Sequence, residues 1–315
     1  MFAVIGEALL DMVQPAPGET FVAKPGGGPL NIAVGLRRLG HRTAFVGRLS
    51  TGPLGEIIRH HIEVNGLDIG DSVSTSDQTT LAFASLDEAG RASYEFYVHG
   101  TADWGWTQAE LSVLPADAVA VHTGSVAAFL PPGADALLAL WERCRSEGEL
   151  LLSFDPNVRP ALVGSRDGAV ARVERFVAAS HVVKASDEDL GWLYPGTSHI
   201  DALRRWADLG PDLVVMTRGA AGCLAVNKSG QTWEMPGLAV QVVDTIGAGD
   251  SFASGLLSAL ADIDRLTPAA VTQVSDDDVT SLLGRAVTAS ALTCAREGAD
   301  PPSRAQLDDW QETHT

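Results

Sequence analysis

Short apolar runs alternate with stretches of helical periodicity over most of this chain, and that alternation admits few folds. "FAVIG" (2–6) precedes "NIAVGLRRLG" (31–40), where Ile32, Leu36 and Leu39 recur at helical spacing before Gly40 stops the run. "TAFVG" (43–47) precedes a second helical stretch, "LGEIIRHHIEVNG" (54–66), again closed by glycine. "AVAVHTG" (118–124), "LLLSFDPN" (150–157), "HVVKAS" (181–186) and "DLVVMTRG" (212–219) then each follow a helical stretch. The pattern predicts an α/β fold with a central, mostly parallel sheet flanked by helices. Ligands of such sheets bind beyond the carboxyl ends of the strands. There this chain carries "GE", "HTGS", "DPNVRP", "KASDED" and "TRGAAG".

One region breaks the alternation. "TTLAFASLD" (79–87) and "RASYEFYVHG" (91–100) are β-rich and separated only by "EAG", which reads as a hairpin with no helix between its strands. We expect a small separate β-sheet, a lid formed by about 12–25 and 72–100 within a single domain spanning 1–315. Tyr94, Phe96 and Tyr97 would pack within that sheet, with a dimer contact as their second reading. Trp104 and Trp106 read as core or lid-base residues, and His41, His60 and His61 as solvent-facing. "CLAVNKSGQTWEMP" (223–236) reads as a hairpin turning at "NKSG", and "VSDDDV" (274–279) as a solvated helix start.

Composition excludes several function classes. With 22 basic and 40 acidic residues among 315, the net charge of −18 argues against nucleic acid or an anionic membrane as partner. No run of about 18 apolar residues is present to span a bilayer. "MFAVIGEALLDM" lacks a basic n-region and reads as a buried strand, not a signal peptide. Cys144, Cys223 and Cys294 are odd in number, widely spaced and without zinc-ligand spacing, so a reducing, cytoplasmic setting is expected.

The richest stretch is "DTIGAGDSFASGLLSAL" (244–260), which follows the strand-like "LAVQVV". A small-residue turn opening a helix aims backbone N–H groups at an anion. Gly247 and Gly249 permit positive φ and close approach of a ligand. Asp250 could take a proton from an incoming hydroxyl while those N–H groups hold phosphoryl oxygens. Read alone, such a glycine-rich helix start is more often an ordinary turn than a site. A serine hydrolase at Ser251 is not supported, because "GDSFA" lacks the closing glycine of the nucleophile elbow. The three lysines, Lys24, Lys184 and Lys228, lie in no Walker-type run.

"DTIGAGDSFASG" closely resembles the second signature of the PfkB, or ribokinase-like, sugar kinases, and the resemblance extends over essentially the whole chain. It implies Asp250 as catalytic base and the backbone of Gly247, Ala248 and Gly249 as an anion hole, with Asp244 close to the phosphates and to a monovalent-cation site. "KPGGGPLNIAVGLRRLG" (24–40) is similar to the first signature, in which Gly27, Gly28 and Asn31 would hold sugar hydroxyls; taken alone it is a glycine loop with Asn31 as a helix cap. Asp11 falls in the position of the sugar-binding aspartate. "FDPNVRP" (154–160) resembles stretches of fructokinases and 2-keto-3-deoxygluconate kinases, placing Arg159 at the substrate; its default reading is a turn capped by Asp155 and Asn157.

"KASDED" (184–189) aligns with an Asn-x-x-Glu motif that orders magnesium-bound waters, but here Ser186 and Asp189 stand at its ends, which argues against direct metal binding by these residues. Lys184, Ser186, Thr217, Gly219 and Gly222 fall in the nucleotide-binding stretches that the resemblance implies, together with Asp244. Asp244, Ile246, Thr293, Arg296, Gly298 and Ser303 fall around a potassium-type cation. The implied activity is transfer of the γ-phosphoryl group of ATP, with Mg2+ and a monovalent cation such as K+, to a primary sugar hydroxyl. The preferred substrate is fructose, giving fructose 6-phosphate, and the alternative is 2-keto-3-deoxygluconate. A homodimer through the lid is expected. From a different class, a catalytically inactive sugar sensor is opposed by the intact "GAGD".

Overall fold

The computed structural model describes residues 1–14, 20–86 and 92–314. Two strands open the chain, β1 (Phe2–Ile5) and β2 (Leu9–Val13), followed by β3 (Val22–Gly26) and helix α1 (Gly28–Arg38). Next come β4 (Thr43–Val46), β5 (Arg48–Ser50), α2 (Pro53–Val64), β6 (Val73–Thr75), β7 (Leu81–Leu86) and β8 (Ala92–Tyr97). Strands and helices then alternate: β9 (Ala120–Gly124), α3 (Gly133–Glu147), β10 (Leu151–Asp155), α4 (Arg166–Ala178), β11 (Val182–Ser186), α5 (Asp187–Leu193), α6 (His199–Leu209) and β12 (Leu213–Thr217). The hairpin β13 (Cys223–Asn227) and β14 (Thr232–Met235) leads to α7 (Ala248–Asp262), the short α8 (Pro268–Val271), α9 (Asp276–Cys294) and α10 (Arg304–His314).

Eight strands form the main sheet in the order β14-β13-β12-β11-β10-β9-β1-β4, parallel except for the hairpin at the β14 edge. Its strands are apolar on both faces, as a sheet covered on both sides requires. Ile5, Val121, Phe154 and Val183 face one core with Trp141, Phe176 and Trp206 from the helices. Val4, Ala120, Leu151 and Val182 face the other, with Leu36, Phe252, Leu256 and Leu283. Phe154 and Phe176 stack at 4.8 Å between ring centres. The buried indole N–H of Trp141 donates to Ser180 Oγ at 2.8 Å, which removes the penalty of burying it unpaired.

A separate four-stranded sheet has the order β3-β2-β7-β8, and β5 pairs with β6 in a third, two-stranded one. Leu81–Leu86 and Ala92–Tyr97 thus pair antiparallel in the small sheet, whereas Val73–Thr75 pair with Arg48–Ser50. On the small sheet Phe83 meets Phe21 edge-on at 5.1 Å and Tyr97 at 5.4 Å. The middle of the 12–25 segment, the "EAG" turn and the side chain of Tyr94 lie outside the described residues. Trp104 and Trp106 are buried.

Two expectations are corrected. "LAVQVV" (238–243) is not a strand: residues 236–247 run irregularly, Val242 and Val243 are exposed, and the N–H groups of Val243 and Asp244 bond to the carbonyl of Cys294 instead of to a ladder. His41 does not face solvent. Its Nε2 lies 2.8 Å from Ser258 Oγ, and its ring packs edge-on against Phe2 at 5.4 Å. His61 is half-buried as well, and His60 is exposed as expected.

One acid is buried where β1 leaves the main sheet. Glu7 is 1% exposed and accepts the N–H of Ala127 through Oε2 at 3.1 Å. Burial pushes its carboxyl up to about 7, against hydrogen bonds from Ser125 and Ala127 that favour the anion. The folded state therefore keeps a proton that the unfolded chain gives up near pH 4.5, and folding stability falls as pH rises from there to about 7. Glu7→Gln keeps the acceptor and never ionises. We expect urea denaturation to show the variant gaining about 2–3 kcal/mol over the parent at pH 8 and much less at pH 5; an equal difference at both pH values would contradict the assignment.

Candidate active site

The strand order reverses at β1 and β9: the chain runs from β1 outward to β4, then returns through β9 toward β14. A crevice opens at such a switch point, beyond the carboxyl ends of the strands. Gly124 and Asp155 stand in register at the ends of β9 and β10, and Ser186 and Thr217 at the ends of β11 and β12. Helix α7 begins opposite them. Its position is fixed by close packing: a Cβ on Gly35 of α1 would lie 2.3 Å from Ser254 Oγ, and one on Gly255 would lie 3.0 Å from Ala289 Cβ of α9.

Gly247 is the N-cap of α7 at φ +75° and no side chain caps the helix; the N–H of Ala248 bonds to the carbonyl of Thr245 at 3.3 Å. A Cβ at Gly247 would lie 2.6 Å from that of Ala299. Asp250 sits in this first turn and is 8% exposed. Asn31, in the first turn of α1, donates Nδ2 to Asp250 Oδ2 at 2.8 Å. The other oxygen, Oδ1, faces Gly28, where even a methyl group would come within 3.5 Å of it and 3.1 Å of Asn157 Nδ2. Burial raises the Asp250 carboxyl above the ordinary range. Asn31 and the ammonium of Lys184 oppose the shift, and the negative charge of Asp155 adds to it.

Asp155 and Lys184 form a buried ion pair, Nζ to Oδ2 at 2.8 Å, with the two side chains 2% and 8% exposed. Burial pulls the lysine down, but Asp155, with further attraction from Asp189 and Asp250, outweighs it and keeps the ammonium charged. A Cβ built on Gly249 would lie 2.9 Å from Nζ. The ammonium and the amide end of α7 therefore address the same space, which suits a polyanion.

Across the crevice, Asp11 on β2 reaches over Gly26, where a Cβ would lie 2.1 Å from Oδ2. Burial raises Asp11 to about 6, the charge of Asp250 adds to this, and Arg159 opposes it. Arg159 is exposed and bonds to Asn157 Oδ1 at 2.7 Å. Gly27, at φ +110°, joins the small sheet to α1. Asp11, Gly27, Gly28, Asn31, Arg159 and Asp250 thus gather in one place.

The other expected residues divide. Ser186 and Asp189 form a capping box at α5, with Asp189 Oδ2 accepting the N–H of Ser186 at 2.8 Å and its hydroxyl at 2.7 Å. Oδ1 accepts the N–H of Val158 at 2.7 Å. Within the protein Oδ2 thus accepts two hydrogen bonds and Oδ1 one. Among the described residues no cluster of three His, Cys, Asp or Glu side chains could hold a metal. Thr217 ends β12 beside Ser186, while Gly219 and Gly222 bound a 3-10 turn at positive φ. Asp244 clasps two loops, accepting from Ile246 N–H at 3.0 Å and from Gly298 N–H at 2.8 Å. Thr293 is buried with its hydroxyl on Ser251, Arg296 bonds to Asp300, and the N–H of Ser303 caps onto Gln306.

Sequence reasoning missed two features here. Asp155 reads as a turn cap in "DPN", yet it is the partner of Lys184; the available signal was a lysine inside the apolar run "HVVKAS". His122 was not singled out: it is 1% exposed, its Nδ1 is 3.0 Å from Ser153 Oγ, and it lines the crevice beside Asp155 and Asp250.

Known proteins resemble the chain throughout. The model of the pfkB family carbohydrate kinases matches residues 1–306. A fructokinase of Rhizobium leguminosarum bv. trifolii is 36% identical over 263 residues, covering 82% of this chain and 79% of that protein. A fructokinase of Salmonella typhimurium is 32% identical over 260 residues, covering 82% and 83%. Among solved structures, a fructokinase from Xylella fastidiosa with bound ATP superposes with a TM-score of 0.88 at 28% identity, covering 99% of this chain and 98% of that one. The family match spans 306 of the 315 residues and the solved structures share the fold over almost the whole chain, and the chain belongs to the pfkB family of carbohydrate kinases.

Proposed function

We propose that this chain is an ATP-dependent fructokinase that converts fructose to fructose 6-phosphate. The observation that carries the chemistry is the position of Asp250, a buried carboxylate with one oxygen held by Asn31 and the other facing the cleft at Gly28, beside an anion cradle. The choice of sugar rests on the relatives, which are fructokinases, and on a Vibrio cholerae O395 fructokinase structure in fructose-, ADP- and potassium-bound form (TM-score 0.84, 28% identity, covering 98% of this chain and 97% of that one). The same relatives do not favour 2-keto-3-deoxygluconate.

ATP supplies the phosphoryl group, and phosphoryl transfer asks the protein mainly for positioning and charge neutralisation. Asp11 and Asn31 hold sugar hydroxyls with the primary hydroxyl beside Asp250 Oδ1. Asp250 takes the hydroxyl proton as the sugar oxygen bonds to the γ-phosphorus and the bond to the β-phosphate oxygen breaks. The raised basicity of Asp250 suits a general base. Lys184 and the amides of Gly247, Ala248 and Gly249 take up the charge on the phosphoryl oxygens. Thr217, Gly219 and Gly222 border the nucleotide.

Mg2+ would be carried by the nucleotide, where Ser186 and Asp189 would hold its waters and the ion would neutralise phosphate charge. A monovalent cation such as K+ would be held where Asp244 ties the 244–247 loop to the 294–303 segment, next to the phosphates; Thr293, expected there, is fully buried with its hydroxyl donating to Ser251. The small sheet acts as a lid that excludes water from the phosphoryl group. Val22 and Tyr97, 42% and 52% exposed on this sheet, support a homodimer through it. Three free cysteines suit the cytoplasm, and among the described residues no helix is long and apolar enough to cross a membrane.

Two measurements test this reading. ADP release should be fastest with fructose in a panel that includes 2-keto-3-deoxygluconate, ribose, tagatose and nucleosides; a clear preference for the keto-acid would overturn the substrate and leave the kinase chemistry standing. Asp250→Asn, nearly isosteric but unable to take the proton, should lower kcat by roughly 10²-fold or more with little change in sugar KM. Turnover close to the parent's would remove Asp250 from the base role.

A further inference from the structure

Among the described residues the chain passes between the small sheet and the main body four times: at 6–8, at Gly27, at 76–80 and at 98–101. Three of these crossings meet at one carboxylate. Asp103, 1% exposed, lies just past the last crossing. Its Oδ1 accepts the N–H of Ala8 in the first crossing at 2.8 Å, and its Oδ2 accepts the hydroxyl of Thr80 in the third at 2.5 Å. Thr80 Oγ1 also lies 2.6 Å from Thr101 Oγ1, Leu10 N–H donates to the carbonyl of Thr80, and Ala102 N–H donates to that of Gln78.

The remaining crossing rests on the neighbouring residue. A Cβ on Gly27 would lie 2.6 Å from the carbonyl oxygen of Glu7, and the Glu7 carboxyl in turn holds Ala127 at the end of β9. A charged group with no solvent is retained in a core only when all its acceptors are used, and then it fixes geometry. Here the geometry fixed is that of β2, which carries Asp11, and of the Gly26–Gly28 loop facing Asp250.

We infer that Asp103 is a positioning residue for the kinase reaction: it ties the small sheet to the main body so that Asp11 and the Gly26–Gly28 loop meet the sugar opposite Asp250. This rests on the reading that Asp11 binds sugar, and the two can be told apart. Steady-state constants for fructose and ATP, and ATP hydrolysis without sugar, would be measured for Asp11→Ala, Asp103→Ala, Asp103→Asn and Thr80→Val. Asp103→Ala should raise the fructose KM at least about 10-fold and increase sugar-independent hydrolysis relative to sugar phosphorylation, while the ATP KM stays within about 2-fold.

Asparagine can still accept from Ala8 and donate to Thr80, so Asp103→Asn should stay within about 3-fold of the parent. Thr80→Val removes a single donor and should raise the fructose KM about 3-fold or more; it decides the matter if Asp103→Ala does not fold. A fructose KM unchanged in folded Asp103→Ala and Thr80→Val would overturn the inference, as would an equal loss toward fructose and ATP. An unchanged fructose KM in Asp11→Ala would instead overturn the sugar-binding reading of Asp11.

Discussion

A lysine and an aspartate buried against each other, Lys184 and Asp155, set the electrostatics on which the rest of the site depends. Removing two charges from water is expensive, and their mutual attraction repays it only with good geometry and further partners. Here the bond is 2.8 Å and additional attraction comes from Asp189 and Asp250. Burial raises Asp189 and Asp250, the charge of Asp155 adds to both, and the three carboxylates together keep the Lys184 ammonium protonated. A buried site with one retained cation, a helix start without a side-chain cap and a carboxylate of raised basicity suits a polyanion meeting a hydroxyl that has a proton to lose.

The fold delivers that arrangement through backbone contacts that tolerate no side chain. A Cβ at Gly124 would lie 1.9 Å from the carbonyl oxygen of Asp155, so β9 and β10 end pressed together beneath the crevice. Gly35 and Gly255 let α1 and α7, and α7 and α9, approach closely enough to aim the start of α7 over the strand ends. Ser125 and Asn157, both lining the crevice, hold positive φ of 54° and 37° without being glycine. Residues kept in such sparsely populated conformations cluster at sites where geometry matters more than local ease.

Much of this was legible in the sequence. Strand and helix alternation fixes the α/β architecture because its period is local, and clusters such as "DPN" and "GAGD" mark strand ends and the opening of α7. The "GAGD" and "PGGGPLN" stretches single out Asp250 and Asn31, which the fold joins by a 2.8 Å bond. What sequence could not give was pairing across distance. Asp155 and Lys184 are 29 positions apart, and Glu7 and Asp103 are brought together only by the crossings of the small sheet. "LAVQVV" misled because an apolar alternating run is also what an irregular segment shows when its apolar side chains are left exposed, as Val242 and Val243 are.

The central claim is that Lys184 serves the phosphoryl group and not merely the packing around Asp155. Removing Lys184 alone leaves a buried charge unpaired and should destabilise the fold by about 3–5 kcal/mol, so a single variant confounds the two roles. The direct test is kcat and stability measured together for Lys184→Met and for the double variant Lys184→Met with Asp155→Asn. The account predicts that the double variant regains most of the lost stability while kcat stays roughly 10²-fold or more below the parent. Recovery of kcat along with stability would show the ion pair to be scaffolding and would contradict it.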